Sequence, residues 1–333
     1  MSDKNSFDWA RFPEQHEIEE SESEADVSRR FYECAKNPGH VNFVPINDFN
    51  LNHLPEDCRN EELEHMVKCL AAQTVKLQIG WVSHERPMCD PITESKYPFY
   101  DKRGSRSIRL GTGRIRRVAK FVKGEDKYGM SHYLQLHYCP CEKCVSSGER
   151  RDVWWEIQIL TARHVVYDNS EAECTSCVLF YDEDGDSNGN VVLKGIYAVY
   201  SDSLRDSCEM TCITCDQALA ERLESLLGEY DRLKESVHAK YKHHDGKLTI
   251  IISHPHGMSK RVTVGSWQER SSGASDKNVS QFSYSNNTCP GSSGALVYIP
   301  GLVYSRLYYH HVHSGCDDNG VSRSGIGEEE FSY

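Results

Sequence analysis

Residues 290–295 read Pro290-Gly291-Ser292-Ser293-Gly294-Ala295, and residues 159–164 read Ile159-Leu160-Thr161-Ala162-Arg163-His164. In the first stretch a glycine two positions before a serine lets the backbone turn. The N–H groups of Gly291 and Ser293 can then converge on one point, as an oxyanion hole requires. Gly294 leaves room for a bound chain and for the strand that follows. In the second stretch an apolar strand ends in two small or polar residues and delivers a histidine. Each piece alone also fits an ordinary Ser/Gly loop or a plain strand-end histidine. The nucleophile elbow of α/β-hydrolases is excluded, because it needs one more residue between the serine and the next glycine. A third piece, Asp206, opens the alternating segment 206–212. It could supply the carboxylate that fixes the tautomer of a histidine base, with Asp202 and Asp216 as alternatives.

The surroundings are strand-like. Segments 74–83 (TVKLQIGWVS), 113–122 (GRIRRVAKFV), 131–138, 153–160 (VWWEIQIL), 177–182, 191–200 (VVLKGIYAVY) and 208–214 alternate or cluster β-formers, with turn clusters such as DEDGDSNGN at 182–190 between them. After 246 the texture resumes with KLTIIIS, KRVTVGSW, NVSQFSYS, GALVYI and LYYHHVHS. Two helices interrupt it. Leu63, Met66, Val67 and Leu70 are spaced for a short amphipathic helix over 61–72. Leu219, Leu223, Leu226, Tyr230, Leu233, Val237 and Tyr241 form one stripe on a long helix over 216–242. That stripe is expected to pack on the body of the protein, with docking of a partner as the alternative.

The predicted fold is mainly β, with two packed antiparallel β-barrels, a long helical insertion between them and an N-terminal helix. The predicted divisions are an acidic flexible extension (1–60), a helix (61–72), a first barrel carrying His and Asp (73–215), a helical insertion (216–245) and a second barrel carrying Ser (246–333).

The order His164, Asp206, Ser293, with the first two in one β block and the third in the other, resembles the chymotrypsin-like (trypsin-like fold) serine protease family. The likeness is closer to its intracellular, bacterial and viral branches than to secreted digestive enzymes. It spans about residues 73–320 and rests on Thr161-Ala162-Arg163-His164 and Gly291-Ser292-Ser293-Gly294. The family carries a small residue where Arg163 stands. The resemblance implies that Ser293 attacks the scissile carbonyl, His164 relays the proton, Asp206 orients the imidazole, and the Gly291 and Ser293 N–H groups hold the oxyanion.

Digestive members have an aspartate just before the serine, to which a newly cut N-terminus pairs. Ser292 offers no such carboxylate, so trimming before residue 73 is expected to switch nothing on. Thr288 and His313 stand where picornavirus main proteases and bacterial glutamyl endopeptidases show a Thr and a His in the pocket for the residue before the cut. Both are donors suited to the side-chain carbonyl of Gln or Glu. Asn287, where trypsin-like members carry Asp, gives no charge for Arg or Lys. The plainer reading of His313 is a core histidine.

Composition narrows the setting. Acidic residues outnumber basic ones, 50 to 38, for a formal charge of −12, which disfavours nucleic acid and acidic membranes as partners. The basic run Lys102, Arg103, Arg106, Arg109, Arg114, Arg116, Arg117 and Lys120 reads as a solvated strand face. The N-terminus has no secretory pattern and no apolar run could span a bilayer. The expected address is therefore cytoplasmic, with the nucleus as the alternative, and the expected partner is a polypeptide substrate. The fourteen cysteines then read as thiols or metal ligands. No cofactor is required, but Cys139, Cys141 and Cys144 with Cys174 and Cys177 have spacings that suit a structural zinc. Two rival functions remain at this stage: a catalytically silent protease-fold scaffold, and a metal-stapled nucleic-acid binder.

Overall fold

The computed structural model describes residues 15–21, 23–91, 94–185, 189–273, 278–302, 309–317 and 319–329. Two short strands, β1 (Gln15–His16) and β2 (Glu19–Glu20), precede helix α1 (Glu24–Tyr32), whose N-cap Ser23 accepts from the Asp26 N–H. Strand β3 (Val44–Pro45) leads through short turns to α2 (Glu61–Gln73), capped by Asn60. Then follow β4 (Thr74–Ile79), β5 (Arg109–Val122), α3 (Glu142–Ser147), β6 (Val153–Thr161), α4 (Asn169–Glu173), β7 (Thr175–Leu179), β8 (Val191–Asp202) and β9 (Ser207–Thr214). Helix α5 (Gln217–Tyr241) bridges to β10 (Leu248–Ser253), β11 (Arg261–Ser272), β12 (Val279–Tyr284), β13 (Val297–Tyr298), β14 (His313–Cys316), β15 (Ser322–Ser324) and β16 (Gly327–Glu328). No helix among the described residues is long and apolar enough to cross a membrane.

The first sheet runs β5–β4–β7–β8–β9–β6, and β6 pairs back on β5, closing a six-stranded antiparallel barrel. Its interior is filled by alternate residues such as Val75, Leu77, Ile157, Ile159, Met210 and Cys212, as strand periodicity requires. The second sheet runs β13–β10–β11–β12–β15–β14 and curls until its ends meet through the bridge Leu296↔Val312 and the Val297 N–H to His311 carbonyl bond (2.9 Å). The fold is thus the double-barrel, mainly β arrangement of chymotrypsin-like proteins.

Leu63, Met66 and Leu70 of α2 and Tyr230, Val237 and Tyr241 of α5 are buried against Leu248, Ile250 and Ile252 of the second barrel. Each large apolar side chain removed from water there contributes roughly 1.5–3 kcal/mol. The apolar stripe of α5 is therefore turned inward, onto the protein's own body.

Three features differ from the reading above. Segment 131–138, read as a strand, forms turns and loop, with Tyr133, Leu134 and Tyr138 left exposed. Residues 1–14 and 22 of the expected flexible extension lie outside the described residues, but 15–21 and 23–60 are built into the fold: β1 joins β14, β2 joins β5, and β3 joins β11. The basic run is not simply a solvated face. Arg109 and Arg114 are buried, Arg116 pairs with Glu209 (2.5 Å) and Lys102 with Glu20. β5 serves both sides of the closed barrel, so several of its cations are consumed internally.

A buried charge cluster sits behind the β6–α4 turn. Glu171 of α4, fully buried, accepts from Arg86 (2.6 and 2.8 Å) and lies 3.0 Å from Arg109. It also accepts from the Ser83 and Tyr167 N–H groups (2.9 and 3.0 Å). Burial pushes its carboxyl up, but the two guanidiniums outweigh that and hold it at about 2. One carboxylate serves two cations, so burial and the charge of Arg86 push Arg109 down to about 10. Arg86 also donates to the carbonyl of His164 (3.0 Å). Glu171→Gln leaves this buried positive charge uncompensated and is expected to cost about 3–5 kcal/mol. A urea unfolding midpoint unchanged from the wild type would refute this.

Candidate active site

His164 follows β6 in a tight turn, held by the Val165 and Val166 N–H groups donating back to Ala162 (3.1 and 3.2 Å). Asp206 ends the β8–β9 turn with φ +48°, a left-handed conformation that aspartate tolerates better than most residues. Its carboxylate accepts from His164 Nδ1 (2.7 Å), from the His164 backbone N–H (3.0 Å) and from Ser314 Oγ. A carboxylate only accepts, so Nδ1 carries the proton and Nε2 is left with a lone pair. The two alternatives are engaged elsewhere. Asp202 accepts from the Leu204 and Arg205 N–H groups in the turn (2.8 and 3.2 Å), and Asp216 caps α5 through the Leu219 N–H (3.1 Å).

Gly291 and Gly294 flank the serine turn, with φ of +96° and +87°. A Cβ on Gly291 would lie 2.5 Å from the His254 carbonyl oxygen, and one on Gly294 would lie 2.2 Å from that of Thr112. Both positions therefore demand glycine. Ser292 faces inward to Ser253 Oγ (3.0 Å), and Thr112 N–H donates to the Ser293 carbonyl (2.9 Å), tying the loop to the first barrel. Ser293 and His164 are both 0% exposed, and neither Ser293 Oγ nor His164 Nε2 has a hydrogen-bond partner among the described residues.

What covers them is the chain's own segment 15–20. β1 pairs antiparallel with β14, Gln15 opposite Cys316 and His16 opposite Gly315. The His16 ring stacks on that of His164, with centroids 4.1 Å apart. The carbonyl oxygen of Glu17 accepts from the N–H groups of Gly291 (2.8 Å) and Ser293 (3.4 Å). The expected convergence of those two N–H groups is thus present, with a peptide carbonyl at its focus.

The side chain of Glu17 enters a buried pocket. Its carboxylate meets His313 Nε2 (2.6 Å) and Lys36 Nζ, while Tyr284 Oη lies 2.6 Å from His313 Nδ1. Nε2–H therefore donates to the carboxylate, and Nδ1 can accept from the phenol. Burial pushes the Glu17 carboxyl up, yet His313 and Lys36 together bring it to about 2. Thr288 lies at the same pocket, its Oγ1 3.3 Å from Lys36 Nζ and 3.1 Å from Ser322 Oγ. It meets the cation rather than the carboxylate. Asn287 is half-buried beside it. Sequence reasoning missed Lys36, which lies far away in the chain and carries no local signal, and it missed Glu17 as anything beyond tail.

All fourteen cysteines are free thiols. Cys139, Cys141 and Cys144 come together as the spacing suggests, but Cys215 completes the group, with Cys141 and Cys215 sulfurs 3.6 Å apart. Cys174 and Cys177 do not join it. Cys174 is exposed after α4, and Cys177 faces Cys212 (3.4 Å) inside the first barrel, because successive residues of β7 alternate in and out. A second group of four, Cys34, His40, His256 and Cys289, also has donor atoms within 4.8 Å of one another.

No family model matches the sequence, and no curated protein does. Among solved structures, the HtrA-type protease AlgW with tripeptide is 12% identical with TM-score 0.38, over 80% of this chain and 60% of that one. The active form of the Rv3671c protease from M. tuberculosis is 11% identical with TM-score 0.38, over 81% and 82%. The chain thus spans about 60% of the length of the AlgW structure. Both neighbours are named as proteases. At so loose an overlap, the fold stands on the strand topology itself.

Burial, opposed by the charge of Asp206, brings His164 from the ordinary 6.5 down to about 4. Above that range it is a neutral base. Between about 4 and 6.5 the unfolded chain binds the proton that the folded chain refuses, so this site makes stability fall as pH drops through that window. The His164 ring nitrogens, followed by NMR in the intact chain, should therefore still be neutral at pH 6. A titration midpoint near 6.5 would contradict this.

Proposed function

We propose that the chain is a serine endopeptidase in which Ser293 is the nucleophile, His164 the general base and acid, and Asp206 the residue that fixes the base. The observation that carries this reading is one carbonyl oxygen held by the N–H groups of Gly291 and Ser293, next to an imidazole whose Nδ1 is bonded to Asp206. A developing oxyanion at that point gains two donors already in place. Ser293 Oγ would pass its proton to His164 Nε2 on attack, and the imidazolium, stabilised by Asp206, would return it to the leaving amine.

The substrate is a polypeptide with Glu, and less well Gln, before the cut. Lys36 and His313 supply two cationic or donor groups to one buried side chain, which suits a carboxylate better than an amide. A wrong residue leaves the buried His313 N–H unpaired at roughly 1–3 kcal/mol and forfeits the Lys36 ion pair as well, so tens- to hundreds-fold discrimination against Leu is expected. The proposed workplace is the reducing cytoplasm, which keeps the sulfurs as thiols. Cys139, Cys141, Cys144 and Cys215 fit a closed structural zinc, an all-thiolate set at the end of the first barrel.

Profiling on a peptide library tests this reading. Cleavage after Glu, ahead of Gln and far ahead of Lys or Leu, is expected, with Ser293→Ala and His164→Ala each losing about four to six decades and the double variant scarcely more. Proteolysis that survived Ser293→Ala would refute the assignment, and a profile led by Lys or aromatic residues would refute the pocket.

A further inference from the structure

We propose that the first substrate of this site is the chain itself, cut between Glu17 and Ile18. The inference rests on the protease reading above and adds the scissile bond. Segment 15–20 crosses the cleft as a cleavable peptide would. Its residues before the bond lie on β14, and Glu17 fills the acid-binding pocket. The residues after the bond continue to β2, paired with the start of β5. Beyond the bond the chain is fastened: Ile18 packs on the core of the first barrel, Glu19 pairs with His256 (2.6 Å) and Arg30 (2.7 Å), and Glu20 pairs with Lys102. The Glu17 carbonyl carbon is thus presented to Ser293 within the same molecule, an arrangement that replaces a bimolecular encounter.

In the reaction Ser293 Oγ adds to that carbon, the C–N bond to Ile18 breaks, and the proton carried by His164 leaves on the Ile18 amine. Water then hydrolyses the Glu17 ester, restoring Ser293 and giving a new carboxylate at Glu17. Sequence reading expected N-terminal trimming to have nothing to switch on, since Ser292 offers no carboxylate for a new ammonium group. The occupied cleft gives trimming another effect: it uncovers the site.

The test is intact mass and N-terminal sequencing of the full chain and of Ser293→Ala, both freshly purified and incubated over a hundred-fold dilution series. The expected result is an Ile18 N-terminus in the wild type at a rate independent of concentration, and a whole Ser293→Ala chain. Glu17→Leu should also stay whole. A wild-type chain that stays whole while reacting with a fluorophosphonate probe or cutting a Glu peptide overturns self-cleavage and leaves the protease reading standing. The same cut in Ser293→Ala assigns it to another protease and overturns the proposal. A chain neither cut nor labelled, whose variant starting at Ile18 is not labelled either, removes both readings.

A separate observation carries a second inference: we infer that Cys34, His40, His256 and Cys289 hold a zinc ion. All four are buried. Tetrahedral zinc places two thiolate sulfurs about 3.7 Å apart, and sulfur and imidazole nitrogen about 3.5 Å apart. Here Cys34 and Cys289 sulfurs are 3.6 Å apart, and His40 Nε2 lies 3.4 Å from Cys289. His256 Nδ1 is bonded to Glu19 (2.6 Å), and its buried Nε2 has no partner among the described residues. A carboxylate on the far nitrogen of a histidine is the arrangement that orients metal-bound imidazoles. Asn37 donates to both sulfurs, from its N–H to Cys34 (3.4 Å) and from Nδ2 to Cys289 (3.1 Å).

Elemental analysis of the Ser293→Ala chain, with cobalt exchanged for zinc in a parallel sample, tests this. Cys141→Ser, which removes a ligand of the other cysteine group, should keep one equivalent of metal, with the absorption of tetrahedral cobalt bound by two sulfurs and two nitrogens. Adding Cys34→Ser or His40→Ala should abolish that equivalent. Zinc content unchanged by those variants, or no metal in Cys141→Ser, overturns the site.

Discussion

A carboxylate buried between two guanidiniums organises everything around the cleft. Glu171 cannot leave Arg86 or Arg109 without stranding charge in a dry interior, so α4, the 83–86 loop and the start of β5 are tied together. The turn that carries His164 hangs from them through the Arg86 bond to its carbonyl. The residue that presents the imidazole is therefore anchored by a charge cluster that binds its backbone carbonyl. Asp206 completes the aim from the opposite side, and Ser314, on β14, fastens Asp206 to the second barrel.

The two barrels meet in a way that makes the serine turn dependent on both. Gly294 fits against the carbonyl of Thr112 and the hydroxyl of Thr161, both of the first barrel, while its N–H donates to His313 of the second (2.8 Å). Shifting either barrel would misplace the N–H pair of Gly291 and Ser293 relative to His164. In the protease proposed above, an oxyanion hole acts by being preformed, and this double anchoring would lower the reorganisation its donors need.

Much of this was legible from residues alone, and most of the failures have one physical source. Segment 131–138 has the look of a strand and forms turns. Most of the strand series, the short and the long helix, the serine turn and the histidine declare themselves through local spacing, which is where periodicity and glycine geometry act. The extension did not. Glu17, Glu19 and Glu20 look like a solvated acidic tail because composition counts their charges and cannot see the cations waiting elsewhere: His313 and Lys36 for the first, His256 and Arg30 for the second, Lys102 for the third. The same blindness hid Cys215 behind the nearer Cys174 and Cys177. Sequence distance suggested neighbours that barrel closure then separated, and kept apart sulfurs that it joined.

A cleft that is delivered already filled gives the molecule a sense of age. If the chain cuts itself as proposed, chains newly folded and chains long folded would differ in a property that dilution, crowding or substrate supply does not alter, since the event separating them would take place inside one molecule. Under the self-cleavage proposed above, the interval before a chain could act on anything else would be written in the fit of His16 and Glu17, and a single side-chain change there would reset the clock.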